Sequence, residues 1–135
     1  MIQWSSAMET GVPVIDRQHK ELVRQVNELV EAMRAGKGRQ VVGDTLVFLG
    51  RYAQEHFETE EGLMKRFGYP GYERHRAVHE AFKRDFADLS AEYDRNPEKL
   101  ALTIKVQKRV MDWLREHILR VDAEAGRYLR EHGAV

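Results

Sequence analysis

Five histidines and two carboxylates stand at spacings that suit metal coordination: His19; His56 with Glu60; His75 with His79; and His117 with Asp122. The pairs His56–Glu60 and His75–His79 are four residues apart, which makes them neighbours one turn apart on a helix surface. One His-x-x-x-Glu or His-x-x-x-His is a weak signal on its own; the ordered set is a strong one. Asp122 follows His117 by five positions, about 140° around an ideal helix. It reaches the other groups only if the helix ends or distorts there. Spacing alone therefore leaves Asp122 as either a ligand or a solvated residue at a helix end. No cysteine is present, which excludes disulfides, thiolate zinc sites and cysteine-ligated clusters.

The elements that must position these groups are long, periodic segments punctuated by glycine and proline. Residues 1–15 read as an irregular arm carrying Trp4 and Pro13. Asp16 reads as the N-cap of a helix to about Ala35, which stops at Gly36. After the Gly36-Lys37-Gly38 connection, a second helix runs from about Arg39 to Phe67, closed by Gly68 and Pro70. A third covers about Gly71 to Arg95, ahead of Asn96-Pro97, and a fourth about Glu98 to Val121, with a helical tail over Ala123–Glu131. Gly43, Gly50 and Gly62 interrupt the second helix only mildly. No strand-type alternation or internal repeat is visible. The expected fold is all-α, an antiparallel up-down-up-down four-helix bundle with an irregular N-terminal arm, filling residues 1–135 as a single domain.

On each helix the histidines continue an apolar stripe. They lie in line with Leu22, Val26, Leu29 and Met33 in the first helix, and with Leu46, Leu49 and Ala53 in the second. Phe82, Phe86, Leu89 and Tyr93 follow them in the third, and Val106 and Val110 precede His117 in the fourth. An unpaired polar group in an apolar medium costs roughly 2–7 kcal/mol. A lone inward histidine is ordinarily a core residue bonded to a neighbour. Five of them with few acceptors cannot satisfy one another, whereas a metal satisfies them together. In an antiparallel bundle, the start of the first and third helices lies beside the end of the second and fourth, so all these residues fall at one end.

At this point the residues resemble the hemerythrins, and within them the single-domain bacteriohemerythrins. The motifs that carry the resemblance are the arm with Trp4, then IDRQHKEL, HFETEE, a Gly-Tyr-rich turn, HRAVH and HILRVD, covering nearly the whole chain. The resemblance implies that Asp122 belongs to the site. It implies two iron ions, cycling between Fe2+ and Fe3+, bridged by Glu60, Asp122 and an oxo or hydroxo group. One iron would take His75, His79 and His117; the other would take His19 and His56 and keep an open position. The pocket around that position would correspond to Leu22, Phe57, Trp113, Leu114 and Ile118, which ordinary core packing would explain equally. The implied function is reversible dioxygen binding, for storage, delivery or scavenging.

Other classes fit less well. Ferritin-like and oxygenase sites use Glu-x-x-His pairs, and no histidine here has a glutamate three positions before it. Catalysis as the main role, as a di-iron peroxidase or oxidase, is therefore not expected. His75-Arg76-Ala77-Val78-His79 has arginine where a zinc hydrolase of the H-E-x-x-H type needs its base. An oxygen or nitric oxide sensor is the remaining alternative, and the chain ends at Val135 without an output segment. Lysine plus arginine balances aspartate plus glutamate, 22 against 22, so no nucleic-acid footprint is expected. No apolar run approaches the roughly 18 residues of a membrane span, and no signal peptide is read. The expectation is a cytoplasmic monomer with dioxygen as its partner. His132 lies outside the pattern and is expected to be exposed.

Overall fold

Pro13, not Asp16, opens the first helix. Its ring fixes φ at a helical value and its missing N–H is one the first turn never uses, so α1 spans Pro13–Arg34 with Val12 before it. Asp16 sits in the first turn and does a different job from the expected cap. Its carboxylate accepts from the Thr10 N–H (2.8 Å), the Thr10 hydroxyl (2.7 Å) and the Gly11 N–H (3.1 Å), folding the arm back over the helix start.

The computed structural model describes residues 2–37, 39–96 and 100–134. The helices are α1, α2 (Arg39–Arg66), α3 (Tyr72–Arg95), α4 (Leu100–Glu116) and α5 (Ala123–Glu131). Gly38 in the first connection and the expected start of the fourth helix near Glu98 lie outside the described residues. The architecture is the expected antiparallel four-helix bundle, with no strand among the described residues. Three described helix ends carry glycine at positive φ, Gly36 (65°), Gly68 (67°) and Gly133 (92°). There the chain turns left-handed, and the next N–H reaches back into the last helical turn: Lys37 to the Ala32 carbonyl (3.0 Å), Tyr69 to the Met64 carbonyl (2.9 Å).

Between α4 and α5 the chain does not break. Residues His117–Asp122 form a π-helical turn that joins them into one continuous helical rod. The fourth helix thus distorts at the place the five-residue spacing required. A π turn winds more slowly than an α-helix, so i and i+5 approach the same face.

Apolar side chains form two clusters. The larger one includes Leu22, Val26, Ala53, Phe57, Phe82, Val110 and Leu114. The smaller one, at the end where the arm and α5 meet, joins Val12, Ile15, Met64, Ala125 and Leu129. Most of the polar residues fall between the two clusters along their rods: His19 between Ile15 and Leu22, Glu60 between Phe57 and Met64, and His117 and Asp122 between Leu114 and Ala125, while His56 stands at the edge of the main cluster beside Phe57. On α3, His75 and His79 lie between Tyr72 and Phe82.

The arm seals that end. Thr10 is 3% exposed and packs so closely on α5 that a Cβ on Gly126 would lie 2.5 Å from the Thr10 Cβ. Arg130 donates to the Thr10 carbonyl (3.1 Å). Trp4 packs partly buried against the main core, with the Lys20 ammonium 5.4 Å from its ring centre. Asp16→Ala removes three hydrogen bonds to a charged acceptor and strands a buried hydroxyl. It should cost about 2–4 kcal/mol, measured as a fall in the denaturation midpoint at constant m-value.

Candidate metal centre

The five histidines and the two carboxylates are buried together: His19, His56 and His79 are 0% exposed, Glu60 and Asp122 1%, His117 2% and His75 3%. α1 contributes His19, α2 His56 and Glu60, α3 His75 and His79, and the π turn His117 and Asp122. All seven residues expected from the sequence are brought together. His132 is exposed and stacks on Tyr128, with ring centres 3.8 Å apart.

One pair is hydrogen-bonded, His19 Nε2 with Asp122 Oδ2 at 2.7 Å, but several of the other atoms do not pair off as hydrogen bonds would. His56 Nε2 stands 2.7 Å from Glu60 Oε1, and Asp122 Oδ1 lies 2.9 Å from His75 Nε2 and 2.8 Å from His117 Nε2. Yet His56 Nε2, Glu60 Oε1, His75 Nε2 and Asp122 Oδ1 all lack a properly directed hydrogen bond. His79 and His117 bring their Nε2 atoms within 3.2 Å of each other. Two nitrogens at right angles on one ion, each about 2.1 Å from it, would be about 3 Å apart. Apart from the bonded His19–Asp122 pair, these close approaches without a directed bond are what donor atoms converging on common points would give. Left without an ion, each unsatisfied buried group costs on the order of 1–3 kcal/mol.

There are two such points. Glu60, His75, His79, His117 and Asp122 offer one set of donors; His19, His56, Glu60 and Asp122 offer a second. The two carboxylates belong to both sets, and the donors within each set lie within 4.8 Å of one another. Such carboxylate-and-imidazole donors fit a pair of first-row transition ions, iron among them, better than calcium or magnesium.

Electrostatics within the cluster is strong. Burial pulls the imidazoles of His56 and His117 down, but Glu60 and Asp122 outweigh it, raising them to about 10 and about 9. Burial also pushes the carboxyls of Glu60 and Asp122 up, yet the surrounding imidazoles hold both well below the usual carboxylate range. In the metal-free chain, protons on His56 and His117 thus stand where a cation would be.

Two outer contacts were not legible in the sequence. Gln18 Oε1 lies 2.8 Å from His56 Nδ1, and Glu61 Oε2 lies 2.8 Å from His79 Nδ1. Each turns the Nε2 of its histidine towards the site. Both are chain neighbours of residues already singled out, His19 and Glu60, but adjacency carried no signal of their direction. Aromatic rings also fix imidazole planes: Phe57 stacks on His79 (4.0 Å) and Trp113 on His117 (4.4 Å).

A cavity of about 10 Å³ borders the cluster on the His19, His56 and His117 side. That is about the smallest space that holds one water-sized molecule. Its other walls are apolar or aromatic, and include Leu22, Phe57, Trp113 and Leu114. Ile118, expected beside them, is not on its wall. It follows His117 by one position within the π turn and so faces another side of the rod, where it packs fully buried in the main core instead.

The comparisons with known proteins agree with this geometry. The family described as "Hemerythrin HHE cation binding domain" matches residues 10–129. A bacteriohemerythrin of Methylococcus capsulatus is 31% identical, over 90% of this chain and 92% of its own. One from Aquifex aeolicus is 27% identical, over 96% and 98% of the two chains. A solved wild-type hemerythrin superimposes with a TM-score of 0.83 at 30% identity, covering 96% of this chain and 98% of its own. With its ordered donors, its bundle and this coverage, the chain belongs to the hemerythrin family of HHE cation-binding domains.

Proposed function

We propose that the chain binds dioxygen reversibly at a pair of iron ions, for storage, delivery or scavenging, and that it acts as a carrier rather than as an enzyme. The single observation that carries this reading is the division of the buried donors into two sets that share Glu60 and Asp122. In this reading His75, His79 and His117 would hold one iron, His19 and His56 would hold the other, and Glu60 and Asp122, together with an oxo or hydroxo group, would be shared between them. The His19–His56 set is one histidine shorter, and it is on this side that the cavity lies. A pair of ferrous ions held there would supply the two electrons that reversible dioxygen binding needs, with no external reductant.

The chain's own residues account for the rest. The cavity walls offer no carboxylate, hydroxyl or amine, so nothing beyond the imidazoles is positioned there to pass protons to a substrate. Leu22, Phe57, Trp113 and Leu114 exclude bulk water, which preserves a reactive ligand from side reactions. Nitric oxide, another small diatomic, fits the same space. No described helix is long and apolar enough to cross a membrane, and in this proposal the chain acts as a monomer with a single domain over residues 1–135.

Three tests follow. Anaerobic loading with Fe(II) should give two irons per chain, and a visible band should appear in air and fade under argon. A one-way change to a ferric spectrum would instead indicate an oxidase. Leu22→Phe adds side-chain bulk that fills a cavity of about 10 Å³; it should keep both irons but weaken dioxygen binding at least tenfold, read from oxygen titrations.

The third concerns pH. In the metal-free chain the raised imidazoles stabilise fully below their unfolded value of about 6.5, and that contribution is lost as pH rises through about 9 and 10. The depressed carboxyls act oppositely, stabilising above about pH 4 and failing as pH falls. The metal-free melting temperature should therefore peak near pH 5–6 and decline towards pH 10. Iron affinity should rise over the neutral range, because iron must displace the imidazole protons. Melting curves and chelator competition across pH measure both trends.

A further inference from the structure

The two donor sets differ behind the histidines as well as in number. Behind His79, in the three-histidine set, stands a carboxylate: Glu61 Oε2 at 2.8 Å from Nδ1, its side chain 17% exposed. The Arg76 guanidinium is 4.0 Å from the other Glu61 oxygen and half exposed, so it offsets that charge only weakly. Behind His56, in the two-histidine set, stands a neutral amide, Gln18, also at 2.8 Å.

The amide's orientation is dictated by a chain of bonds. The Thr59 hydroxyl donates to the Glu55 carbonyl (3.1 Å), so its oxygen is left to accept. Gln18 therefore turns its NH₂ to Thr59 (3.1 Å) and its oxygen to His56. His56 must carry a proton on Nδ1 and present Nε2 to the site. Glu61, as an acceptor, imposes the same tautomer on His79. The tautomers match, but the acceptors differ by a full charge.

A hydrogen bond to an ionised acceptor is roughly twice as strong as one to a neutral acceptor. It draws the Nδ1 proton outward and makes Nε2 the stronger donor, which favours a tighter-held and more oxidised metal. We propose that Glu61 and Gln18 are positioning residues that make the two metals unequal. The carboxylate behind His79 anchors the three-histidine metal and lowers its reduction potential. The amide behind His56 leaves the two-histidine metal more weakly held and more electrophilic, on the side where the cavity lies. This rests on the di-iron reading above and adds a division of labour between the two ions.

The test uses the iron-loaded protein and three variants: Glu61→Gln, Gln18→Glu, and the double exchange Glu61→Gln/Gln18→Glu, which keeps composition and net charge while moving the carboxylate from one metal to the other. Release of Fe(II) to a chelator and the midpoint potentials are the readouts. The unsubstituted chain should release iron in two phases. Glu61→Gln should speed the slow phase 10–100-fold and raise one midpoint potential; Gln18→Glu should slow the fast phase and lower the other.

The exchange should invert the order of loss, seen by locating the remaining iron by anomalous scattering in half-depleted crystals. A purely structural role would weaken the site in the exchange without reversing that order. Unchanged phases and potentials in Glu61→Gln and Gln18→Glu overturn the proposal, as does an exchange variant that still loses the two-histidine iron first. Fewer than two irons in the unsubstituted chain would instead overturn the di-iron reading itself.

Discussion

Two carboxylates buried side by side among five imidazoles are the constraint on which this molecule is built. Glu60 and Asp122 are each 1% exposed, and like charges in a low dielectric repel strongly. The bundle can bury them only by surrounding them with positive charge or with groups that accept a cation in common. Protonated His56 and His117 provide a partial solution, at the cost of poorly directed contacts. Divalent or trivalent ions provide a complete one, because one ion satisfies several donors that are mutually misaligned. The apolar clusters on either side make this demanding: they exclude the water that would otherwise screen the carboxylates.

The π turn follows from the same requirement. Asp122 must serve both donor sets, and it must come from the rod that already supplies His117. An α-helix would swing a residue five positions on by about 140°, out of the polar layer. The wider winding over His117–Asp122 returns it, while α4 and α5 continue in line on either side. A π turn has poorer hydrogen bonding than the helix it interrupts and tends to persist where function holds it. Here it is held from both sides, by the site within and by the arm packed against α5 at Thr10 and Gly126.

What the sequence made legible is explained by period. Histidine and glutamate at apolar positions of a 3.6-residue stripe break a strong pattern, so six of the seven site residues could be located from spacing alone. Asp122 could not, because its position depends on a local winding that no propensity signals; only the motif as a whole brought it in. Asp16 was misread for a related reason. An aspartate near a helix start suggests a cap, yet Pro13 is the better starting signal, and Asp16 faces back to Thr10 and Gly11. Gln18 and Glu61 were illegible because a bond to Nδ1 depends on which way a ring turns, and that is fixed only when four helices meet. Ile118 was placed on the cavity wall by analogy of position, and packing turned it elsewhere in the core.

The size and character of the cavity connect the site to what it does. Its walls add only apolar and aromatic groups to three imidazoles, and its volume is near the lower limit for a single small molecule. A polar substrate would have to leave its hydration behind with nothing there to replace it, a cost of several kcal/mol. A diatomic gas gives up almost no hydration and needs no partner other than the metal. The same dryness strengthens every electrostatic interaction within the site, so under the proposed di-iron reading a ligand that gained charge on binding would be held by the ions and released once that charge was returned. On that reading, selection for a small apolar guest and its reversible retention would arise from one physical property, the exclusion of water from the cavity beside His19, His56 and His117.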